Sequence, residues 1–127
     1  MRRVSSRITI NRNRVNRLNQ AAITALELTV DALHTEIEQA QVMPRDTGAL
    51  QNENTFVDKS KSQQGKVSII SSTLYARRLY FHPEYNFKKD ENPNAKGKWL
   101  EDWLPGGTHE DFCEKAFKRL YRRLGGL

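Results

Sequence analysis

Apolar side chains recur every three or four residues between Asn11 and Val42, at Val15, Leu18, Ala22, Leu26, Val30, Leu33 and Ile37. That step is one face of a helix with 3.6 residues per turn. Nothing in the stretch breaks it, and Pro44 sets its end, because the residue before a proline is pushed out of helical geometry. The spacing predicts a helix of about 30 residues and about 45 Å, long for so small a chain. Part of this stripe, or its Ala22, Ile23 and Leu28 flank, is expected to face another subunit.

After Pro44 the period changes. Asp46-Thr47-Gly48 reads as a turn, and Ala49 to Asp58, with Thr55, Phe56 and Val57, as a strand. The polar stretch Lys59 to Lys66 forms a loop before the β-branched run Val67 to Ser72, a second strand antiparallel to the first. Thr73 to Phe81 fits a short helix stopped by His82-Pro83. Glu84 to Gly97 describes an exposed excursion that turns at Asn92-Pro93-Asn94. Beyond the break at Pro105-Gly106-Gly107, Thr108 and Asp111 stand at capping-box spacing. They open a closing helix through Leu124, whose stripe is Phe112, Ala116, Leu120 and Leu124, widened by Phe117. The predicted class is α+β: a long N-terminal helix packed on a small antiparallel sheet, with a short middle helix and a C-terminal helix. A single domain over residues 11–127 follows a basic arm over residues 1–10.

The chain has 127 residues, enough for one core without metal or disulfide staples. No apolar run approaches the length of a spanning helix, and Met1-Arg2-Arg3 leads into no apolar signal core. With the lone Cys113, this points to a cytoplasm-like compartment and to no membrane partner.

Charge adds a feature that the hydrophobic pattern lacks. The formal net charge is +6, and all of the excess lies at the two ends. Residues 1–45 carry seven Arg against four acids, residues 46–110 nine bases against nine acids, and residues 111–127 five bases against two acids. Arg2, Arg3, Arg7, Arg12, Arg14 and Arg17 occur with no acid among the first 17 residues. Lys115, Lys118, Arg119, Arg122 and Arg123 crowd the end of the last helix, where cations complement its dipole. Such clusters meet phosphates or an acidic protein surface, and they equally describe a solvated terminus. Arg2, Arg3, Arg7, Arg12, Arg14, Lys118 and Arg122 are the candidates for contact with DNA or an acidic partner.

Catalytic chemistry has no visible machinery. Asp46-Thr47-Gly48 is the tripeptide of aspartic proteases, but here it follows Pro44-Arg45 rather than a buried strand, and no apolar wall raises the aspartate. His34, His82 and His109 share no metal-ligand spacing. His109, Glu110 and Cys113 could be drawn as a set, yet Cys113 beside Phe112 on a helix reads as a small buried filler. Gly106-Gly107 lacks the preceding strand and lysine of a phosphate loop. No catalytic residue, metal or cofactor is expected.

Aromatic residues are the informative cluster. Of eleven Phe, Tyr and Trp, seven lie between positions 75 and 103: Tyr75, Tyr80, Phe81, Tyr85, Phe87, Trp99 and Trp103. Tyr, Trp and Arg are the types that anchor protein–protein contacts. Tyr75, Arg77, Arg78, Tyr80, Tyr85, Trp99 and Trp103 are therefore candidates for a subunit interface. Trp99 and Trp103, four apart, share a face of a helical turn with Glu101 and Asp102 opposite. The alternative is that both tryptophans pin the excursion onto the sheet.

The run Tyr75-Ala76-Arg77-Arg78-Leu79-Tyr80-Phe81-His82-Pro83-Glu84-Tyr85-Asn86-Phe87, continued by Asn92-Pro93-Asn94-Ala95 and by Gly97-Lys98-Trp99 to Trp103, resembles the minor capsid proteins of tailed bacteriophages. Pro44-Arg45-Asp46-Thr47-Gly48-Ala49-Leu50 is similar to the Asp-Thr-Gly-x-Leu turn of the broader tail-completion family. These motifs cover about a third of the chain. The family's pattern often carries Gly-Thr after the Tyr-Ala helix, where His82-Pro83-Glu84 stands here, in keeping with the minor capsid branch. The resemblance implies a non-enzymatic neck component of the virion, assembled in the host cytoplasm as part of a ring between portal and tail. Its implied partners are copies of itself, neighbouring neck, head-closure and tail-terminator proteins, and channel DNA. A basic nucleic-acid-binding module is the competing function.

Overall fold

In a computed structural model, which describes residues 8–43, 55–71, 74–85, 87, 89 and 92–127, the long apolar stripe folds as helix α1, Arg12–Ala40. Asn11 caps its start, the side-chain Oδ1 accepting the Arg14 N–H at 3.1 Å and satisfying one of the orphan donors of the first turn. Its end is set earlier than Pro44. Gln41 takes a left-handed conformation (φ 56°) and its N–H returns to the Glu38 carbonyl, the cap that turns a chain out of a helix.

Strands β1 (Thr55–Asp58) and β2 (Ser68–Ser71) pair antiparallel, with Thr55 opposite Ser71 and Val57 opposite Ile69. The expected first strand is longer; its Ala49–Asn54 portion and the Asp46-Thr47-Gly48 turn lie outside the described residues. The connecting loop contains a 3-10 turn, Ser62–Gln64, closed by Gly65 at φ 80°, a conformation that suits glycine. Lys59 Nζ reaches back 2.8 Å to Asp31 Oδ2 and fastens the sheet to the middle of α1. Helix α2 spans Leu74–Tyr80. A second 3-10 turn covers Glu101–Trp103, and helix α3 runs over Phe112–Gly125. The fold is α+β, with the element order expected from the sequence pattern.

The closing helix begins three residues later than the Thr108–Asp111 capping box predicts. The Asp111 side chain caps nothing; it pairs with Lys115 Nζ at 2.7 Å. The His109 N–H meanwhile donates to the Asp102 carbonyl at 2.6 Å, which holds residues 108–111 in turns.

The core gathers Ile37, Val42 and Met43 from the end of α1, Ala76 and Leu79 from α2, and Trp99 and Trp103, with Leu33, Ile69 and Phe112 packed against it. Trp99 meets Tyr80 edge to face, ring centroids 4.9 Å apart, a favoured aromatic geometry. Thus the segment expected to be an exposed excursion is in part a strap. Asn92 Nδ2 donates to the Met43 carbonyl at 2.8 Å, Asn94 Nδ2 to the Ala40 carbonyl at 3.0 Å, and the Lys96 N–H to the Val42 carbonyl at 3.0 Å. The Asn94 bond gives a partner to a carbonyl that the end of α1 leaves over, and the other two tie down the residues just past it. Gly97 sits where the strap passes the chain after α2: a Cβ there would lie 2.6 Å from Pro83 Cα.

Helix α3 lies antiparallel to α1. Phe112 at its start packs on the core near Ile37, whereas a Cβ on Gly125 at its end would meet Leu18 Cδ2 at 3.2 Å. Towards the start of α1 and the end of α3 the buried residues are small, Ala21, Ala25, Ala116 and Gly125, whereas Thr29 and Val30 are buried in the middle of α1.

Candidate functional site

Helix α2 divides the aromatic run into an inward and an outward half. Ala76 and Leu79, three apart, are buried, while Arg77 and Arg78 on the other side are exposed, as one turn of an amphipathic helix requires. Tyr80 is half-buried against Trp99 and Phe81, and burial pushes its hydroxyl above the usual tyrosine range, with the Glu101 carboxylate adding to the shift. Phe81 projects outward, 60% exposed, and Tyr85 is 41% exposed.

The corner after α2 is braced by its own side chains. The His82 ring stacks on Tyr85 with centroids 4.6 Å apart and planes 8° from parallel. His82 Nδ1 lies 2.7 Å from Glu84 Oε1, and this hydrogen bond holds the Glu84 carboxyl below its ordinary range. The Tyr85 N–H donates to the His82 carbonyl at 3.1 Å. Arg77, Arg78, Phe81 and His82 border one shallow depression. The corner therefore presents two guanidinium groups beside two fixed rings, chemistry suited to gripping a protein surface.

The two tryptophans take a different part from the one their spacing suggests. Trp99 is 2% and Trp103 8% exposed, so both serve the protein's own core and are corrected from interface anchors to pins of the strap. Trp103 Nε1 is buried without a hydrogen-bond partner, and its ring stacks on His109 at 5.7 Å. Glu101 is exposed and Asp102 half-buried; Asp102 Oδ2 accepts from Lys96 Nζ at 3.1 Å, a second tie between the strap and the turn that holds Trp103. Tyr75 falls in the first turn of α2, with its side chain outside the described set. Phe81, absent from the predicted anchors, is the most exposed ring among the described members of the cluster. The available signal was its place at the helix end, one turn past the exposed Arg77.

The basic residues also acquire an arrangement. Arg12 and Arg17 are exposed and Arg14 half-buried on the first half of α1, while Lys118, Arg119, Arg122 and Arg123 are exposed on the second half of α3. Lys118 pairs with Glu114 at 2.9 Å; Arg119, Arg122 and Arg123 make no ion pair among the described residues. Arg2, Arg3 and Arg7 lie outside the described residues.

The drawn set His109, Glu110 and Cys113 does not operate as one. The Glu110 carboxylate accepts the Gly106 N–H at 2.7 Å and His109 is taken up by Trp103. Burial pushes the Cys113 thiol up, away from the thiolate a nucleophile needs. Among the described residues no three His, Cys, Asp or Glu converge as metal ligands, and no helix is long and apolar enough to cross a membrane. A mainly apolar cavity of about 210 Å³ opens beside the core, walled by Ile37, Met43, Ile69, Tyr80 and Trp99, with His34 and Arg77 at its edge. His34 Nε2 comes 3.1 Å from Glu38 Oε1 but out of line for a hydrogen bond.

Compared with protein families, curated proteins and solved structures, the chain matches none.

Proposed function

We propose that this chain is a structural, non-enzymatic head–tail joining protein of a tailed bacteriophage, working as one subunit of a ring in the neck of the virion. The observation that carries the reading is the braced corner at the end of α2. Within the run that resembles phage minor capsid proteins, Ala76, Leu79 and Tyr80 hold the segment to the core, and Arg77, Arg78, Phe81 and Tyr85 stay outside. Arg and Tyr recur among the residues that dominate interface energies, and a large exposed Phe beside them gives an apolar centre. A ring needs each subunit to offer two different faces. The corner supplies one, and Leu28, exposed on α1, supplies part of a second.

The partners under this reading are copies of the chain and adjoining head-closure and tail-terminator proteins. Silencing the gene in its phage should leave filled heads and free tails, counted by electron microscopy. A Phe81→Ser/Tyr85→Ser double variant with an unchanged circular dichroism spectrum should restore fewer than about one in ten of the joined particles, since hot-spot truncations of about 2 kcal/mol each cost more than tenfold. Joined, infectious particles from the silenced phage would end the proposal.

A further inference from the structure

The two basic stretches that lie a hundred residues apart in sequence meet in space. Because α3 runs antiparallel to α1, the end of α3 lies beside the start of α1: Leu124 shares a shallow groove with Arg17, Gln20 and Thr24, and Gly125 abuts Leu18. Arg12, Arg14 and Arg17 therefore stand at the same end of the molecule as Arg119, Arg122 and Arg123. On α1 the first acid is Glu27, and after Glu114 α3 has none, so no acidic side chain on either helix neutralises that end. An acid-free concentration of guanidinium groups, offset only in part by the dipole at the end of α3, attracts a polyanion.

We infer that this end of the α1–α3 pair is a binding face for the phosphate backbone of duplex nucleic acid. The residues between the arginines decide between a phosphate backbone and an acidic protein. Asn13, Asn16, Asn19 and Gln20 are exposed on α1, and amides are regular donors to phosphate oxygens. A protein-binding face would have an aromatic centre from which charge is depleted; here the exposed apolar side chains Ile8, Ile10, Val15, Leu124 and Leu127 are aliphatic and interspersed along the chain with arginines, and no aromatic ring is exposed among the described residues of this end. These six cations are all arginines, whose planar fork matches phosphate oxygens. Recognition would be of the backbone, without sequence preference, through these phosphate contacts. The inference is independent of the neck reading: it concerns a different end of the molecule and a different measurement.

The test is fluorescence anisotropy of the full chain with a labelled 24-base-pair duplex of mixed sequence. Binding through about five phosphates should give a log–log salt slope of about −4.5, so that affinity falls roughly 500-fold between 50 and 200 mM NaCl. Arg119→Gln/Arg122→Gln/Arg123→Gln and Arg12→Gln/Arg14→Gln/Arg17→Gln should each weaken binding at least tenfold and flatten the slope by two to three. The matched control Lys61→Gln/Lys66→Gln/Lys89→Gln, on exposed positions elsewhere, should stay within twofold of the parent. Glutamine is a good helix former at these helical positions, and circular dichroism checks that the fold is kept. No duplex binding at 50 mM salt overturns the inference. So does loss confined to Arg2→Gln/Arg3→Gln/Arg7→Gln, which would make the arm and not the helix pair the binder. A poly-glutamate chain that binds more tightly than the duplex also overturns it, in favour of an acidic protein.

Discussion

The two ends of α1 are built on opposite principles. Its last two turns carry Ile37 into a cluster with Val42, Met43, Trp99 and Trp103, and a strap of asparagine amides closes over its final carbonyls. Its start packs against the end of α3, where Leu18 meets Gly125 and the buried side chains nearby are alanines, and burying so little apolar area contributes little. Large side chains fix the geometry at one end. At the other, small ones leave helix surface free, and charge occupies it. The stable end thus positions the exposed Phe81 and Tyr85 corner, while the thin end displays arginine. Exposed functional groups occur at both ends, but only at the aromatic end does the core lie directly beneath them.

The strongest way to break this comparison is to remove Trp99. Truncating a tryptophan that is almost wholly buried leaves a cavity and a lost transfer term together, about 3–5 kcal/mol. Trp99→Ala should therefore unfold at much lower urea, whereas Leu18→Ala at the thin end, where the side chain is half-buried, should cost less than half as much. Urea titration followed by far-ultraviolet circular dichroism reads both midpoints. Equal losses would show that stability is spread evenly along α1 and that the contrast between the ends is false.

What could be read from the chain follows the range of the forces involved. Helix α1 was legible because its period persists through eight turns, which is local information. The pairing of β1 with β2 was legible for the same reason, a short polar loop between two β-branched runs. The strap was not. Asn92-Pro93-Asn94 has turn composition, but the carbonyls that its amides serve lie 49 and 54 positions upstream, and no local pattern announces them. The tryptophans stood between two readings, interface anchor and internal pin, because burial in one's own core and burial against a neighbour call for the same side chain; their burial favours the pin. At the basic end each cluster was plain in the charge count. Their meeting was not, since it depends on α3 lying antiparallel to α1 through residues as featureless as Ala116 and Gly125.

A smaller effect sharpens the picture of the thin end. Ala25 is fully buried on α1 and lies on the stripe that begins with Leu18 and Ala21, spaced by three and four. Where helices approach on alanine, a larger side chain has no space to fill. Ala25→Leu should destabilise by about 1–3 kcal/mol despite adding apolar surface, and hydrogen exchange should show the loss first in the amides of α3. A stabilised Ala25→Leu would mean that the helix pair is loosely packed and that its alanines do not set the approach of α3.

The least effect belongs to the solvent-exposed pair at the start of α3, and its sign is fixed by the direction of two shifts. The hydrogen bond and charge of Lys115 hold Asp111 below the usual carboxylate range, and the same contact raises Lys115. A lowered carboxylate contributes stability in full above its unfolded value of about 3.9, and loses it as pH falls through the folded value. A raised ammonium contributes below its unfolded value of about 10.4, and loses it as pH rises through the folded value. The melting temperature of the parent should therefore exceed that of Asp111→Asn between about pH 5 and 10, and the two should converge on either side. Because both groups are exposed, salt should shrink the gap throughout. If the gap were the same at pH 2 as at pH 7, the Asp111 carboxylate would have no charge-dependent role in holding the late start of α3. The His109 bond to the Asp102 carbonyl would then set that start alone, and the turn beneath Trp103 would determine where the last helix begins.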